Sequence, residues 1–316
     1  MLKRILQAIP LIIIIMIVNF LIMKAAPGDP VDFLVSGVEG VGVPKGYVEM
    51  LKAKYGFDKP VHVQMVIYFQ KLLKGDFGYS FYYHQPVFNM LLSRLRNTLI
   101  LTSTSLIIET IGIMLGVMAS KKVYSLTDNS ITIGTLLFYN IPNFWLGMML
   151  LLIFGLYIPI FPIGGIVTIG VTGDAKLLSI LWHLILPVAC LSLGRIALYT
   201  RYTRASMLEI NRLDYITTAR AKGCNEKTVL YNHTFRNALL PIITVVALRL
   251  RTLFTGALLV ESVFSWPGLG KLVFDSVIRR DFNVLMANFF LLSIITIFFN
   301  LVADVLYAYV DPRVMY

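Results

Sequence analysis

Six stretches of this chain are too long and too apolar to be anything but buried or lipid-facing helix. They cover about residues 5–24, 98–119, 131–157, 178–199, 239–261 and 284–307, and the last, VLMANFFLLSIITIFFNLVADVLY, carries one charged residue, Asp304. An α-helix rises about 1.5 Å per residue, so about 20 apolar residues cross the hydrocarbon layer of a membrane. Only 14% of the 316 residues are charged, against about a quarter in a soluble domain. The fold class is therefore an all-α integral membrane protein with six transmembrane helices. Lys3 and Arg4 precede the first stretch and two alanines follow it, as in a secretory signal. Its apolar run is longer than a signal core, however, and Pro27 stands where cleavage would fall, so the segment reads as a retained span.

Orientation follows from the basic residues between spans. The N-terminus, residues 120–130, residues 195–238 and the C-terminal tail hold thirteen Lys and Arg, whereas the two short loops on the other side hold four: Lys176, Lys271, Arg279 and Arg280. Basic residues near spans stay on the cytoplasmic side, which places both termini there and predicts a cell membrane location. The same bias accounts for the net charge of +11 without invoking nucleic acid. Cys190 and Cys224 do not make a disulfide framework, and His62, His84, His183 and His233 are scattered singly. The fragment PGLGKL has Leu272 where a nucleotide-binding loop needs Ser or Thr, and neither H-E-x-x-H nor G-x-S-x-G occurs. No catalytic residue, metal site or cofactor is expected in this chain.

The divisions are then residues 1–26, an N-terminal transmembrane helix; 27–97, an external helical region; 98–307, a five-span core; and 308–316, a cytoplasmic tail. In the external region Pro44 opens and Gly56 closes one amphipathic helix with Val48, Leu51 and Tyr55 on a face, and HVQMVIYFQKLLKG makes a second, stopped by Gly75. It is either a packed lid or a docking surface for an external partner.

Residues 201–238 form the longest and most charged cytoplasmic segment. Asn211 is expected to cap a short helix that runs to Lys222 and is closed by Gly223, and Asn225 to cap a second helix ending near Asn237. Leu213, Ile216, Thr217 and Arg220 share one face of the first helix, and the small residues Ala219 and Gly223 would let a partner backbone come close. The stretch TTARAKG, residues 217–223, followed by HTFRNALLP, resembles the coupling loop of ABC importer permeases in its peptide-transporter form. The segments FLIMKAAPGDP, YGFDKPVHVQ, KGDFGYS, RLRNTL, VESVFSWPGLGKL and YAYVDPRVMY resemble, in order, the rest of that family, so the likeness runs nearly the full length. Thr217 and Thr218 depart from the acidic and small residues of the general loop pattern, and Arg236 stands where many permeases have proline.

The chain is thus similar to the membrane-spanning subunit of a peptide-type ABC importer, and the long segment after the first span favours the B-type over the C-type partner. The resemblance implies a type I importer fold, a homologous C-type permease, two cytoplasmic ATPases that bind ATP and Mg, and an external solute-binding protein. It implies ATPase coupling through Leu213, Asp214, Thr217, Thr218, Ala219, Arg220, Lys222 and Gly223. Di- or oligopeptides are the expected cargo, with nickel chelates or oligosaccharides as alternatives inside the family. A secondary transporter would need paired interrupted helices, and a membrane enzyme a convergent nucleophile or metal cluster; neither pattern is present.

Three charges fall deep in the predicted spans: Glu109, Arg249 and Arg251. Charge at the bilayer centre costs about 2.5–3.5 kcal/mol and normally faces a bundle interior or a wet cavity. The two arginines are about 200° apart around a helix, so they face different ways. One is expected to pair with Glu109 and the other to line the path or a partner interface.

Overall fold

The structure, a computed structural model, describes residues 2–25, 49–50, 58–80, 82–253 and 257–310, and within them the side chains of all but 2–5, 8, 23, 251 and 306–310. The expected helix from Pro44 to Gly56, the tail from 311 and the side chain of Arg251 lie outside these described residues. The chain divides into two compact units, one of Met1–Arg96 with Gly268–Ile297 and one of Asn97–Pro267 with Phe298–Tyr316.

In the first unit, α1 (Leu2–Ala25) is the first apolar stretch. α2 (Val61–Leu73) begins after Pro60 and stops at Gly75, whose φ of +76° is open to glycine without a Cβ clash. Gly75 N–H donates to the Leu72 carbonyl and Asp76 N–H to the Lys71 carbonyl, which satisfies the last orphan groups of the helix. Phe20 of α1 stacks on Tyr68 of α2 at 6.0 Å. A two-residue antiparallel ladder, β1 (Tyr79–Ser80) with β2 (Gln85–Pro86), follows.

α3 (Val87–Glu109) starts eleven residues before the expected position 98, and with α4 (Ile111–Ser120) makes a 34-residue apolar segment interrupted at Thr110. α5 (Leu126–Tyr139) and α6 (Asn143–Leu151), which continues as a wider π-turn to Tyr157, occupy the stretch read as one span from 131 to 157. They meet at 99°, so the stretch is not one continuous helix. Pro142 is the cause: it has no N–H to give the preceding turn and holds Ile141 away from helical geometry. α7 (Ala175–Ile210) has 36 residues, fourteen more than the expected 178–199, and at 1.5 Å per residue is about 54 Å long, far more than a membrane crossing needs.

The chain turns into α8 (Asp214–Ala221), then α9 (Glu226–Thr228), which passes through a π-helical segment, Val229–Phe235, into α10 (Arg236–Arg251). The helix expected to end near Asn237 thus runs on without a break. α10 ends at Thr252, and α11 (Ala257–Val263) follows the undescribed residues 254–256. α12 (Leu269–Ile278) and α13 (Phe282–Val310) complete the chain. Among the described residues three helical segments are long and apolar enough to cross a membrane, Val87–Ser120, Ala175–Ile210 and Phe282–Val305, or four where the bent pair α5–α6 counts as one broken span.

The first unit closes around Val87, Met90, Leu91, Leu269, Leu272 and Val284. The core of the second is Leu101, Leu146, Leu184, Leu191, Phe264 and Trp266. In that unit α4 lies against α7, and Gly112 and Gly116 are the reason it can. A Cβ on Gly112 would sit 2.4 Å from the Ile196 carbonyl oxygen, and one on Gly116 2.5 Å from Thr203 Cβ. The close approach lets Thr200 Oγ1 donate to the Gly112 carbonyl at 3.1 Å. Small residues four apart permit this contact between apolar helices.

Candidate functional site

Two places in the second unit hold the residues singled out from the sequence. The first is the corner after α7. Asn211 closes α7, its N–H donating to the Met207 carbonyl, and does not cap the next helix, which begins after Leu213 with no side-chain cap. Three residues suffice for the turn because Arg212 and Leu213 N–H groups are taken by the Glu209 and Ile210 carbonyls. Asp214 at the start and Arg220 in the last turn of α8 both suit the helix dipole. Gly223, at φ +83°, ends the helix as expected: its N–H donates to the Arg220 carbonyl and that of Cys224 to the Ala219 carbonyl. Asn225 caps α9, its side chain accepting from Thr228 N–H at 2.8 Å.

Arg220 ties the corner together, donating to Glu226 at 3.1 Å and to the Asn211 side chain at 2.9 Å. Ile216 is wholly buried and Ala219 is 8% exposed, both on the side of α8 that packs on the 229–235 segment. Ala219 is therefore spent inside the chain and cannot receive a partner backbone, which corrects that expectation. Leu213, Asp214, Tyr215, Thr217, Thr218, Arg220, Lys222 and Gly223 are exposed. A two-turn helix, closed by Gly223 and anchored by Ile216 and Ala219, thus presents one mixed polar and aromatic face outward.

The second place is the charge pair at the end of α3. Arg249 Nε lies 3.0 Å from Glu109 Oε2, and Nη2 lies 3.0 Å from Oε1. Ser105 Oγ donates to Glu109 Oε1 at 3.0 Å, and Arg249 Nη1 donates to the Thr252 carbonyl at 2.8 Å. The side chains are 0% and 4% exposed. Arg195 and Tyr199 of α7 are close enough to interact electrostatically with both. Arg195 was counted with the cytoplasmic loops from the sequence; the structure puts it inside α7, fifteen residues before the end, at the level of the buried pair.

Sequence reasoning missed three further polar clusters. Arg204 grips Asp128 with two bonds, Nε to Oδ1 at 2.6 Å and Nη2 to Oδ2 at 2.7 Å. Beside it, a cleft of about 380 Å³ opens between α5 and α7, walled by Thr132, Thr135 and Tyr139 on one side and Leu198, Arg201 and Tyr202 on the other. Glu261 is buried and accepts from Thr98 Oγ1 at 2.7 Å, near Trp266 Nε1, which donates to the Asn97 carbonyl. In the first unit, buried Asp281 accepts from Ser80 Oγ. Burial raises the Asp281 carboxyl above the ordinary range, and its bonds from Ser80 and Val284 N–H only partly oppose this. The signal available for each was a charged residue beside a span end, which sequence alone does not separate from a solvated loop.

The chain matches the family described as "Binding-protein-dependent transport system inner membrane component" over residues 112–316, and its N-terminal model over residues 1–102. It is 40% identical over 316 residues to the oligopeptide transport system permease protein AppB of Bacillus subtilis (strain 168), covering 99% of this chain and 98% of that one. It is 36% identical over 333 residues to the dipeptide transport system permease protein DppB of Escherichia coli (strain K12), covering 99% and 97%. A solved inward-facing MetNI methionine ABC transporter superposes with a TM-score of 0.56 at 17% identity, over 70% of this chain and 96% of that chain, a likeness of fold.

Proposed function

Because the chain belongs to the family of binding-protein-dependent transport system inner membrane components, we propose that it forms half of the path through which an ATP-driven importer takes up di- or oligopeptides. The chain is a transport permease subunit. Its counterpart is a homologous permease, two ATPases on the cytoplasmic side hold ATP and Mg, and an external binding protein delivers the peptide. This chain then needs no cofactor of its own. Both termini and α8 face the cytoplasm, in keeping with the basic bias of those segments.

The observation that carries the proposal is the build of α8. One side is locked by Ile216 and Ala219, and the other is free for a protein groove. Its two ends continue directly into α7 and, through α9 and the π-segment, into α10. A rigid-body displacement of α8 by closing ATPases therefore moves two long helices together. ATP shifts the equilibrium between inward- and outward-open states because it favours the closed ATPase pair, and α8 transmits that preference.

The test is uptake of a labelled peptide by the purified complex in proteoliposomes, with ATP hydrolysis followed in parallel. Gly223→Leu is the informative variant. A Cβ there meets nothing within 4 Å, so the change acts through the backbone alone, at about 1–2 kcal/mol for leaving the left-handed region or holding it with a side chain. The expected result is normal membrane insertion with hydrolysis retained and uptake per ATP reduced several-fold. Full coupling in the variant would remove α8 as the transmitting element, and uptake without any ATPase would favour a secondary transporter.

A further inference from the structure

One face of α7 carries more positive charge than the described residues neutralise. Arg195, Leu198, Tyr202 and Ala205 recur at three- and four-residue spacing and so share a stripe along that helix, with Arg201 on its flank, about 120° around the helix from Arg195. From Leu198 to Ala205 the stripe walls the 380 Å³ cleft, with Tyr139 of α5 opposite. Arg204 is engaged by Asp128. Arg201 lies over the Tyr139 ring at 5.1 Å, and Arg195, half-buried, feels the same tyrosine. Among the described residues neither Arg195 nor Arg201 makes a hydrogen bond or an ion pair. The carboxylate near Arg195 is Glu109, whose oxygens are already taken by Arg249 and Ser105. One buried carboxylate thus faces two guanidinium groups.

A guanidinium stays charged at every accessible pH, and it is the side chain whose fork matches a carboxylate. Charge held within a span normally marks a wet cavity or a ligand path. We infer that Arg195 and Arg201 are two successive stations for a carboxylate on the translocation path, taking the free C-terminus of a transported peptide. The inference rests on the peptide-importer reading above and adds a requirement for a carboxylate at the permease itself. Six residues separate the stations, about 9 Å along the helix axis and about 120° around it, and the two long side chains are brought toward one another on the side of Tyr139, which both reach. Tyr139, which lies under Arg201 and within electrostatic reach of Arg195, offers both an apolar face with a polar tip. The lower station opens on the cleft, and the upper one is set against the Glu109–Arg249 pair, whose net neutrality leaves the charge of Arg195 for the passing anion.

The test uses the whole complex in proteoliposomes and two tripeptides that differ only in a free or an amidated C-terminus. Rates are read at saturating, fully loaded binding protein, so that the preference of the binding protein drops out. The wild type should move the free acid at least tenfold faster than the amide, since only the acid offers the guanidinium a charged acceptor. Arg195→Gln should bring the acid down to the rate of the amide while stimulated ATP hydrolysis persists, and Arg195→Lys should keep part of the difference. Arg201→Gln, at an exposed position, gives the same readout should Arg195→Gln fail to assemble. An acid-to-amide ratio unchanged in both variants would overturn the inference alone. An effect that follows the phosphatidylglycerol content of the vesicles, and not the peptide terminus, would assign the arginines to lipid. Loss of assembly in both variants, with the ratio intact in what assembles, would assign them to an acidic residue of the partner permease. Absence of ATP-dependent uptake of either peptide by the wild type would overturn the peptide-importer reading itself.

Discussion

Arg249 sits where a carboxylate and a carbonyl both reach its guanidinium, and Glu109 receives a hydroxyl as well as both arginine nitrogens. A buried pair of this kind is weak evidence of net stabilisation, but removal of one partner leaves a bare charge, at about 3–5 kcal/mol. Glu109→Gln should therefore lower the amount of assembled complex recovered in detergent, and Glu109→Gln with Arg249→Met should restore part of it. Additive losses in the double variant would show that the two do not act as a pair. Asp281 makes the opposite kind of prediction. Its folded-state pKa is raised by burial, so the native state binds its proton more readily than the unfolded chain does. Its contribution to stability is then most favourable at low pH and declines as pH rises from the ordinary carboxylate range through the raised value. Melting temperatures of wild type and Asp281→Asn should converge, or cross in favour of the variant, as pH rises through that window. A difference independent of pH would contradict the assignment.

At the scale of elements, the contact of α4 with α7 is set by two glycines. Gly112→Leu would drive a side chain into the Ile196 carbonyl and Tyr199 Cβ, atoms of a helix that cannot give way locally. Overpacking of this kind costs about 1–3 kcal/mol, and here it also removes the Thr200 bond to the Gly112 carbonyl. The variant should show a lower melting temperature and less complex, whereas Gly134→Leu on α5, where a Cβ meets nothing, should leave both unchanged. α8 follows a different logic. It is too short to be stable by propensity, so its existence depends on the Ile216 anchor and the left-handed glycine closure.

For the whole molecule the decisive measurement is sidedness. The orientation proposed from the basic bias has the segment before α3 outside and α8 inside. Lys74→Cys, exposed at the end of α2, should react with an impermeant thiol reagent applied to cells whose envelope admits it, in a Cys224→Ser background. The native Cys224, partly exposed beside Gly223, should react only after lysis, and buried Cys190 should stay unreactive throughout. Labelling in the reverse pattern would turn the chain over in the membrane and take α8 away from the ATPases.

Length and hydropathy by themselves determined that the chain is a helical membrane protein, because a run of 20 apolar residues has few other outlets. Local rules also placed Gly223, Gly75 and Asn225, since a left-handed residue and an N-cap depend on the few residues around them. The motif order TTARAKG to HTFRNALLP led to the family that the comparisons establish. Tertiary structure alone decided the rest. Asn211 closes one helix and does not open the next, because α7 continues past the apolar stretch to Ile210. Ala219 faces inward because Ile216, three residues away, must be buried on the same side. The partner of Glu109 is Arg249, 140 residues distant, and Arg195 leaves the loop tally for the middle of a helix. Pairing across such separations depends on which helices meet, and hydropathy marks the apolar stretches without fixing where they bend or which of them touch.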